Sequence, residues 1–308
     1  MIELKAEKFS SLIPALQTVE INTLFAMSVL ERKVDGKVWV DNSSSPASFY
    51  IRHPYGMALL YGENGKESFY EELKLYMCNS NKNRNRTEWL QVYPSALYTK
   101  MNTLLGDHLI KKGPEEQYNE MTEMEADKIL EFQRINFIFR KEKYHAFRRN
   151  ISKKHVNIVL TTKNMFDQMN GSVIPRYFWN NSCDFEKYGI GFTLLLGQGI
   201  WASTAFASFA IGRKLEIGIE TSKEYRGSGF AARVCTRLID HCLDNGMEPV
   251  WSCNSGNFGS RKLAEKMGFE ETGRIPYYRL SYQLMDKHKN NFHNNEVIHN
   301  TFPSAQQH

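Results

Sequence analysis

Cysteine is scarce in this chain, with five residues among 308, at positions 78, 183, 235, 242 and 253, and no CxxC pair. That rules out a disulfide framework, and the expectation is small buried apolar residues in a reducing compartment. Long apolar runs are absent too. No stretch is long enough to span a bilayer, and residues 1–8 alternate charge with Ile2 and Leu4 instead of building a secretory leader, so a cytoplasmic protein with no membrane partner is expected. Charge of one sign is also lacking: 39 basic and 34 acidic residues leave a net +5. The two basic clusters, residues 82–86 and 141–154, read as a solvated loop and a solvated helix face, so no nucleic-acid partner is expected. The histidines of the polar, aperiodic tail after residue 285 have no metal-site spacing, so no metal is expected and the tail reads as disordered.

What remains is an ordinary globular composition, 42% apolar and 24% charged, sufficient for one large core or two smaller ones. Leu16, Val19, Leu24, Met27 and Leu30 predict one long helix over 13–31. Strands are expected at 37–40, 48–51 and 57–61, a helix at 67–77, a strand at 88–92 and a helix at 95–105 closed by Gly106. A charged connection follows, helical over 123–147. The second half repeats the order: strands at 155–160, 191–196, 201–209 and 215–220, a helix at 229–244, a strand at 249–253, a helix at 258–267 and a strand at 277–282, with 163–178 helical or irregular. The repeat predicts an α+β (α/β mixed sheet) fold made of unit 1–115, a connecting helical segment 116–150, unit 151–284 and tail 285–308. No motif of the second unit recurs in the first.

The stretch that carries chemistry runs from Leu215 to Ala231. A strand leads into a loop with Gly227 and Gly229, and the loop opens a helix with Ala231, Val234, Cys235, Leu238 and Cys242 at helical spacing. Such a turn aims unpaired amides at one point, the helix dipole adds positive character, and Arg226 adds a charge. This is an anion site of pyrophosphate type, although a glycine-rich turn alone is as often purely structural. No Gly-Lys-Ser/Thr follows, so it is not a P-loop, and Asp240 and Asp244 lie inside the helix, unlike the acidic residue of a dinucleotide fingerprint. Downstream, a strand ending at Asn254 leads through Asn257 into a helix stopped by Gly268-Phe269, with glycine placed for a left-handed cap.

Together these stretches resemble the GNAT superfamily of acetyl-CoA-dependent N-acetyltransferases. Its acyl-CoA signature (Gln or Arg, two residues, Gly, one residue, Gly or Ala) matches Arg226, Gly229 and Ala231, and its second signature matches Asn257 through Gly268-Phe269. The wider runs 173–179, 184–189, 217–221 and Tyr277-Tyr278 are similar to the branch that includes zwittermicin-A-resistance acetyltransferases. The resemblance implies a GNAT fold in the C-terminal half, preceded by a degenerate GNAT-like half that binds no cofactor and walls the acceptor site. It implies acetyl-CoA as cosubstrate and, as acceptor, a primary amine of a small molecule such as an aminated antibiotic. It places the backbone of Ile217, Ile219 and Thr221 along pantetheine, and Arg226, Gly227, Ser228, Gly229, Phe230 and Ala231 around the pyrophosphate. Asn254, Asn257 and Ser260 complete the cofactor set.

Direct transfer needs a group that takes the amine proton and one that returns a proton to the thiolate. Glu216 and Glu220 share a strand face, and Glu220 is the first choice for contact with the acetyl end, a salt bridge being the alternative for each. Where many family members carry a tyrosine acid, this chain has Ala264, leaving Ser252, Cys253, Tyr277 or Tyr278, of which Tyr278 is chosen. A nucleophilic Cys253 has no neighbouring histidine in sequence and reads as a buried thiol. Tyr177, Phe178 and Trp179 read as core more than as an acceptor pocket. Two other functions stay open: a non-catalytic acyl-CoA sensor, and a protein or peptide N-acetyltransferase.

Overall fold

Among the described residues, fourteen β-segments form a nine-stranded sheet and a five-stranded sheet. The computed structural model describes residues 1–114, 116, 125, 127–151 and 156–282. The tail at 285–308 and residue 155 of the strand expected at 155–160 lie outside them.

In the first half, β1 (Ile2–Glu3), α1 (Ile13–Gln17) and α2 (Leu24–Leu30) precede the antiparallel strands β2 (Lys37–Val40), β3 (Phe49–Arg52) and β4 (Met57–Tyr61). Then come α3 (Glu67–Met77), β5 (Glu88–Tyr93), α4 (Leu97–Leu105) and β6 (Leu109–Lys111). The single long helix expected over 13–31 is two helices. The β-branched residues Thr18, Val19, Ile21 and Thr23 weaken helical continuity there, and Asn22 Oδ1 accepts from Leu24 N at 3.2 Å, competing with the helix ladder.

The expected helix over 123–147 is corrected more deeply. Residues 129–139 form a strand, β7 (Ile129–Phe139), and only then does helix α5 (Lys141–Asn150) begin. Charged flanks hid a run rich in Ile and Phe, which packs on both sides because the strand is interior to the sheet. The second half is β8 (Asn157–Leu160), α6 (Lys163–Gln168), α7 (Ser182–Tyr188), β9 (Gly191–Leu196), β10 (Ile200–Ile211), β11 (Lys214–Thr221), α8 (Phe230–Asp244), β12 (Glu248–Val250), β13 (Ser252–Asn254), α9 (Phe258–Lys266) and β14 (Phe269–Leu280).

The large sheet runs β1-β2-β3-β4-β5-β14-β7-β13, with β6 also on β7, and the small one runs β12-β11-β10-β9-β8. The antiparallel ribbon of β7 and β14 therefore belongs to both halves. Its Tyr278, Arg279 and Leu280 pair with Leu90, Trp89 and Glu88 of β5, while its Arg134, Ile135 and Asn136 pair with Asn254, Cys253 and Ser252 of β13. The last strand is accordingly much longer than the expected 277–282.

Two cores result. One packs Phe69, Leu73 and Met77 of α3 and Leu97 and Met101 of α4 on β3 to β5. The other is continuous between halves: Phe25 and Val29 of α2 share it with Phe209 of β10 and with Val234, Leu238 and Cys242 of α8. Each large aliphatic side chain buried this way contributes about 1.5–3 kcal/mol. Two minor expectations change. Arg84, expected in a solvated loop, is buried and donates to the carbonyls of Met77 and Leu280, at 3.1 and 2.6 Å, pinning the end of β14. Cys183 is exposed and Cys78 half-buried, so burial holds only for Cys235, Cys242 and Cys253. No helix among the described residues is long and apolar enough to cross a membrane.

Candidate active site

β11 and β12 run parallel for only three residue pairs, the last being Glu216 with Val250. Past Trp251 the chain leaves the small sheet and β13 pairs instead with β7, while β11 continues to Thr221. The two strands diverge, leaving the β11 edge from Ile217 to Thr221 without a strand partner on that side among the described residues. Alternate amides and carbonyls of this edge are available to an extended ligand. The corresponding strands of the first half do not part: β4 and β5 pair from Met57–Trp89 to Tyr61–Tyr93, and Gly62 N extends the contact to Tyr93 O at 2.9 Å.

At the far end of β11 stands the glycine loop. Gly227 and Gly229 have φ of +80° and +77°, a conformation that suits residues without Cβ, and nothing lies within 4 Å of where a Cβ would sit on either. Gly229 is the N-cap of the fifteen-residue α8, which no side chain caps. Arg226 is 62% exposed at its side chain. Open space in front of two glycines, uncapped first-turn amides and a solvated guanidinium are compatible with a diphosphate at the loop formed by Arg226, Gly227, Ser228, Gly229, Phe230 and Ala231. In the first half, the start of α3 is answered internally, since Lys66 N faces Asp41 Oδ2 at 3.4 Å.

On the opposite wall, Asn257 Oδ1 accepts from Ser260 N at 3.0 Å as the cap of α9, and Ser260 Oγ accepts from Trp251 Nε1 at 3.0 Å. Asn254 Oδ1 accepts from Gly256 N, while its buried Nδ2 has no partner among the described residues. These three residues shape the β13–α9 corner in addition to any contact with a ligand.

Glu216 lies at the apex of the opening, 4% exposed. Its Oε1 accepts from Arg134 Nη2 at 3.2 Å and from Ser252 Oγ at 2.8 Å. Ser252 Oγ in turn accepts from Arg134 Nη2 at 2.6 Å and from Asn22 Nδ2 at 3.0 Å. The hydroxyl proton of Ser252 is thus directed to Glu216, and both its lone pairs are engaged. Glu216 Oε2 is buried with no partner among the described residues, as is Arg134 Nε. A carboxylate with one anchored and one unanswered oxygen is held in place and ready to accept one more donor.

Glu220, on the same face, is engaged differently. Its Oε2 accepts from Ser172 N, Ser172 Oγ and Val173 N at 2.8, 3.1 and 2.9 Å, and its Oε1 lies 3.4 Å from Arg226 Nη2. Between the two glutamates, a Cβ on Gly218 would come within 2.6 Å of the Phe206 ring, so that ring closes over the strand. A cleft of about 350 Å³ opens beside Glu220, lined by Gln168, Asn170, Trp201, Ser203 and Ser222.

Tyr278 is not brought to the opening. It is buried in the first-half core beside Leu90, its hydroxyl without a partner among the described residues and pushed to higher pKa by burial, with nearby Glu131 adding to the rise. Strand alternation sends its neighbour Tyr277 the other way, under the Arg134 guanidinium at 5.2 Å. Cys253 is buried and its thiol likewise pushed up by desolvation, as befits an inert side chain. Phe178 and Trp179 are core residues, and Trp179 Nε1 donates to Ala207 O at 2.8 Å. Ala264 is fully buried. Sequence reading missed Arg134, Asn22, Ser172 and Val173. An arginine inside an Ile- and Phe-rich strand was the available signal for the first, and no local pattern marks the others. Among the described residues no group of three His, Cys, Asp or Glu is arranged for a metal.

A model of the family described as GNAT acetyltransferase matches residues 16–278. The chain is 26% identical over 276 residues to an uncharacterized N-acetyltransferase, YdfB, of Bacillus subtilis (strain 168), covering 90% of this chain and 97% of that one. Its fold is similar to a GCN5-related N-acetyltransferase-like protein from Streptococcus suis 89/1591, with TM-score 0.63 at 20% identity, over 89% and 99% of the two chains. It is similar also to a tandem GNAT protein from the clavulanic acid biosynthesis pathway, with TM-score 0.55 at 10% identity, over 90% and 97%. The family match spans most of the sequence and includes the strand, the glycine loop and the diverging β13, and on that ground the chain belongs to the GNAT acetyltransferase family and is a homologue of an N-acetyltransferase.

Proposed function

We propose that this chain moves the acetyl group of acetyl-CoA directly to a primary amine of a small molecule. The observation that carries the reading is the unpaired β11 edge beyond Glu216, leading to the open glycine loop at the uncapped start of α8. The backbone of Ile217, Ile219 and Thr221 would hold the pantetheine arm by strand addition, and residues 226–231 the pyrophosphate. When bound, the thioester supplies an activated acetyl group.

The residues of the chain do the rest. Glu216 takes the amine proton, directly or through one water, since its Oε2 lacks a partner among the described residues while Arg134 and Ser252 fix Oε1. Glu220, the first choice from sequence, already answers three donors through one oxygen and suits a positioning role better. Ser252 is a poor source of the proton for the thiolate because its own is directed to Glu216. The first half acts as a cofactor-free wall: closed β4–β5 pairing and the Asp41 carboxylate at the α3 start support that role, and Asn22 reaches the apex from it. An aminated antibiotic as acceptor rests on the similarity of the runs 173–179, 184–189, 217–221 and Tyr277-Tyr278 to the zwittermicin-A-resistance branch.

The test is calorimetric titration with acetyl-CoA beside an Arg226→Glu, Gly229→Asp double variant, followed by thiol release with a panel of amines. Binding lost in the variant and release with a small amine support the proposal; a folded wild type that does not bind overturns it. A second reading, a sensor without turnover, has the buried Ala264 in its favour. It predicts binding with no thiol release for any amine.

A further inference from the structure

Glu220 ties two loops that the family assignment leaves unconnected. Through Oε2 it clasps Ser172 and Val173 with three hydrogen bonds of 2.8–3.1 Å. The clasp requires glycine next door: Gly171 has φ +150°, and a Cβ there would lie 2.6 Å from Glu220 Cγ. Gln168, the last residue of α6, and Asn170 of the same loop line the 350 Å³ cleft, of which Glu220 is also a wall. Through Oε1, Glu220 faces Arg226 at 3.4 Å, and Arg226 is further held by Nε donating to Thr221 O at 3.1 Å.

Arg226 is therefore positioned for two anions. The carboxylate meets it through one Nη2 contact on a mostly exposed side chain, a weak tie. A diphosphate arriving at the glycine loop offers more charge and more acceptor oxygens in a geometry that suits the guanidinium fork.

We propose that Glu220 is a positioning residue that competes with the cofactor pyrophosphate for Arg226, so that filling the loop uncovers Glu220 Oε1 toward the cleft. This rests on the reading of residues 226–231 as the pyrophosphate site. Before that, Arg226 neutralises the cleft wall. Afterwards a lone carboxylate oxygen stands among the amides and hydroxyls of Gln168, Asn170 and Ser203, which suits a cationic amine carrying hydrogen-bonding groups. One side chain would thus hold the acceptor-side loop and report on the cofactor loop together.

Titration of coenzyme A into wild type, Glu220→Gln, Arg226→Gln and the double variant tests the competition, with hydrogen exchange of the 168–174 segment as a second readout. Freed of its carboxylate partner, Arg226 serves the phosphates better, so Glu220→Gln is expected to bind about two- to fivefold tighter, as for an exposed ion pair. In the Arg226→Gln background the same change is expected to have no effect. Gln retains an acceptor for the Ser172 and Val173 amides and keeps their protection, whereas Glu220→Ala loses it. With coenzyme A saturating, n-butylammonium is expected to raise the melting temperature of wild type and not of Glu220→Gln, and 1-butanol to raise neither. Tightening that persists without Arg226 would mean general charge repulsion, and no tightening would mean no competition; either overturns the proposal while leaving the cofactor site standing. No butylammonium shift in wild type overturns the cleft assignment. Absence of coenzyme A binding in wild type removes the underlying loop reading itself.

Discussion

Asn22, from the turn between α1 and α2, donates to Ser252 Oγ of β13 at 3.0 Å, placing a first-half side chain in the hydrogen-bond shell of Glu216. The interval that breaks the expected long helix is the one that makes this contact. Losing helical continuity at 18–23 lets the turn reach the apex of the opening.

The first prediction concerns that buried cluster. Arg134→Met leaves Glu216 charged and unpaired at 4% exposure and is expected to cost about 3–5 kcal/mol. Arg134→Met combined with Glu216→Leu is expected to recover most of that loss. Urea unfolding of the two singles and the double checks it, and strict additivity would show that the pair is not coupled.

The second concerns the shared ribbon. A fragment starting at residue 151 lacks β7, which pairs with β13 and with the whole of β14. It is expected to show no cooperative unfolding transition and no acetyl-CoA binding, even though it contains the whole glycine loop. Circular dichroism through a thermal ramp and calorimetry decide this, and a cooperative, binding-competent fragment would refute it.

A third follows from His53, fully buried beside Phe209 and lowered by desolvation to a pKa of about 3. The folded state refuses a proton that the unfolded chain takes near the ordinary histidine value of 6.5, so stability falls as pH drops from 6.5 toward 3. At pH 5 the loss is roughly 2 kcal/mol. His53→Asn, which keeps an acceptor for Tyr55 N, is expected to remove this part of the acid sensitivity when denaturation midpoints at pH 7 and 5 are compared.

Gly218→Ala is the fourth. The new methyl would lie 2.4 Å from Ser208 Oγ and 2.6 Å from the Phe206 ring. An overpacked strand here is expected to lose about 1–3 kcal/mol. Because the shift moves β11 between Glu216 and Glu220, acetyl-CoA affinity should fall with stability; a variant with unchanged melting temperature would show that the ring yields easily.

Much of the second half was legible because its signals are local. The glycines at 227 and 229, the periodic apolar face of α8 and the Gly268-Phe269 stop each act within a few residues, and the structure places them as read. The early parting of β11 from β12 after Glu216 leaves the edge at Ile217 without a strand partner on that side among the described residues. What was not legible is set by distant partners. β7 resembled a charged connector because its strand character is expressed against β13 and β14, more than a hundred residues later. Tyr278 and Tyr277 are adjacent in sequence and end on opposite sheet faces, which residue type does not distinguish. Arg134 became a candidate only when its strand placed it beside Glu216.

The ribbon of β7 and β14 also sets a timetable for synthesis. The edge of β5 that receives residues 278–280 has to wait for the last described strand to leave the ribosome, although everything else in the first half is made long before. During that interval the first half presents an unpaired sheet edge, a template for adhesion to other nascent chains. Native assembly thus closes both halves in one late event, and the opening between β11 and β13 comes into being as the first half is sealed.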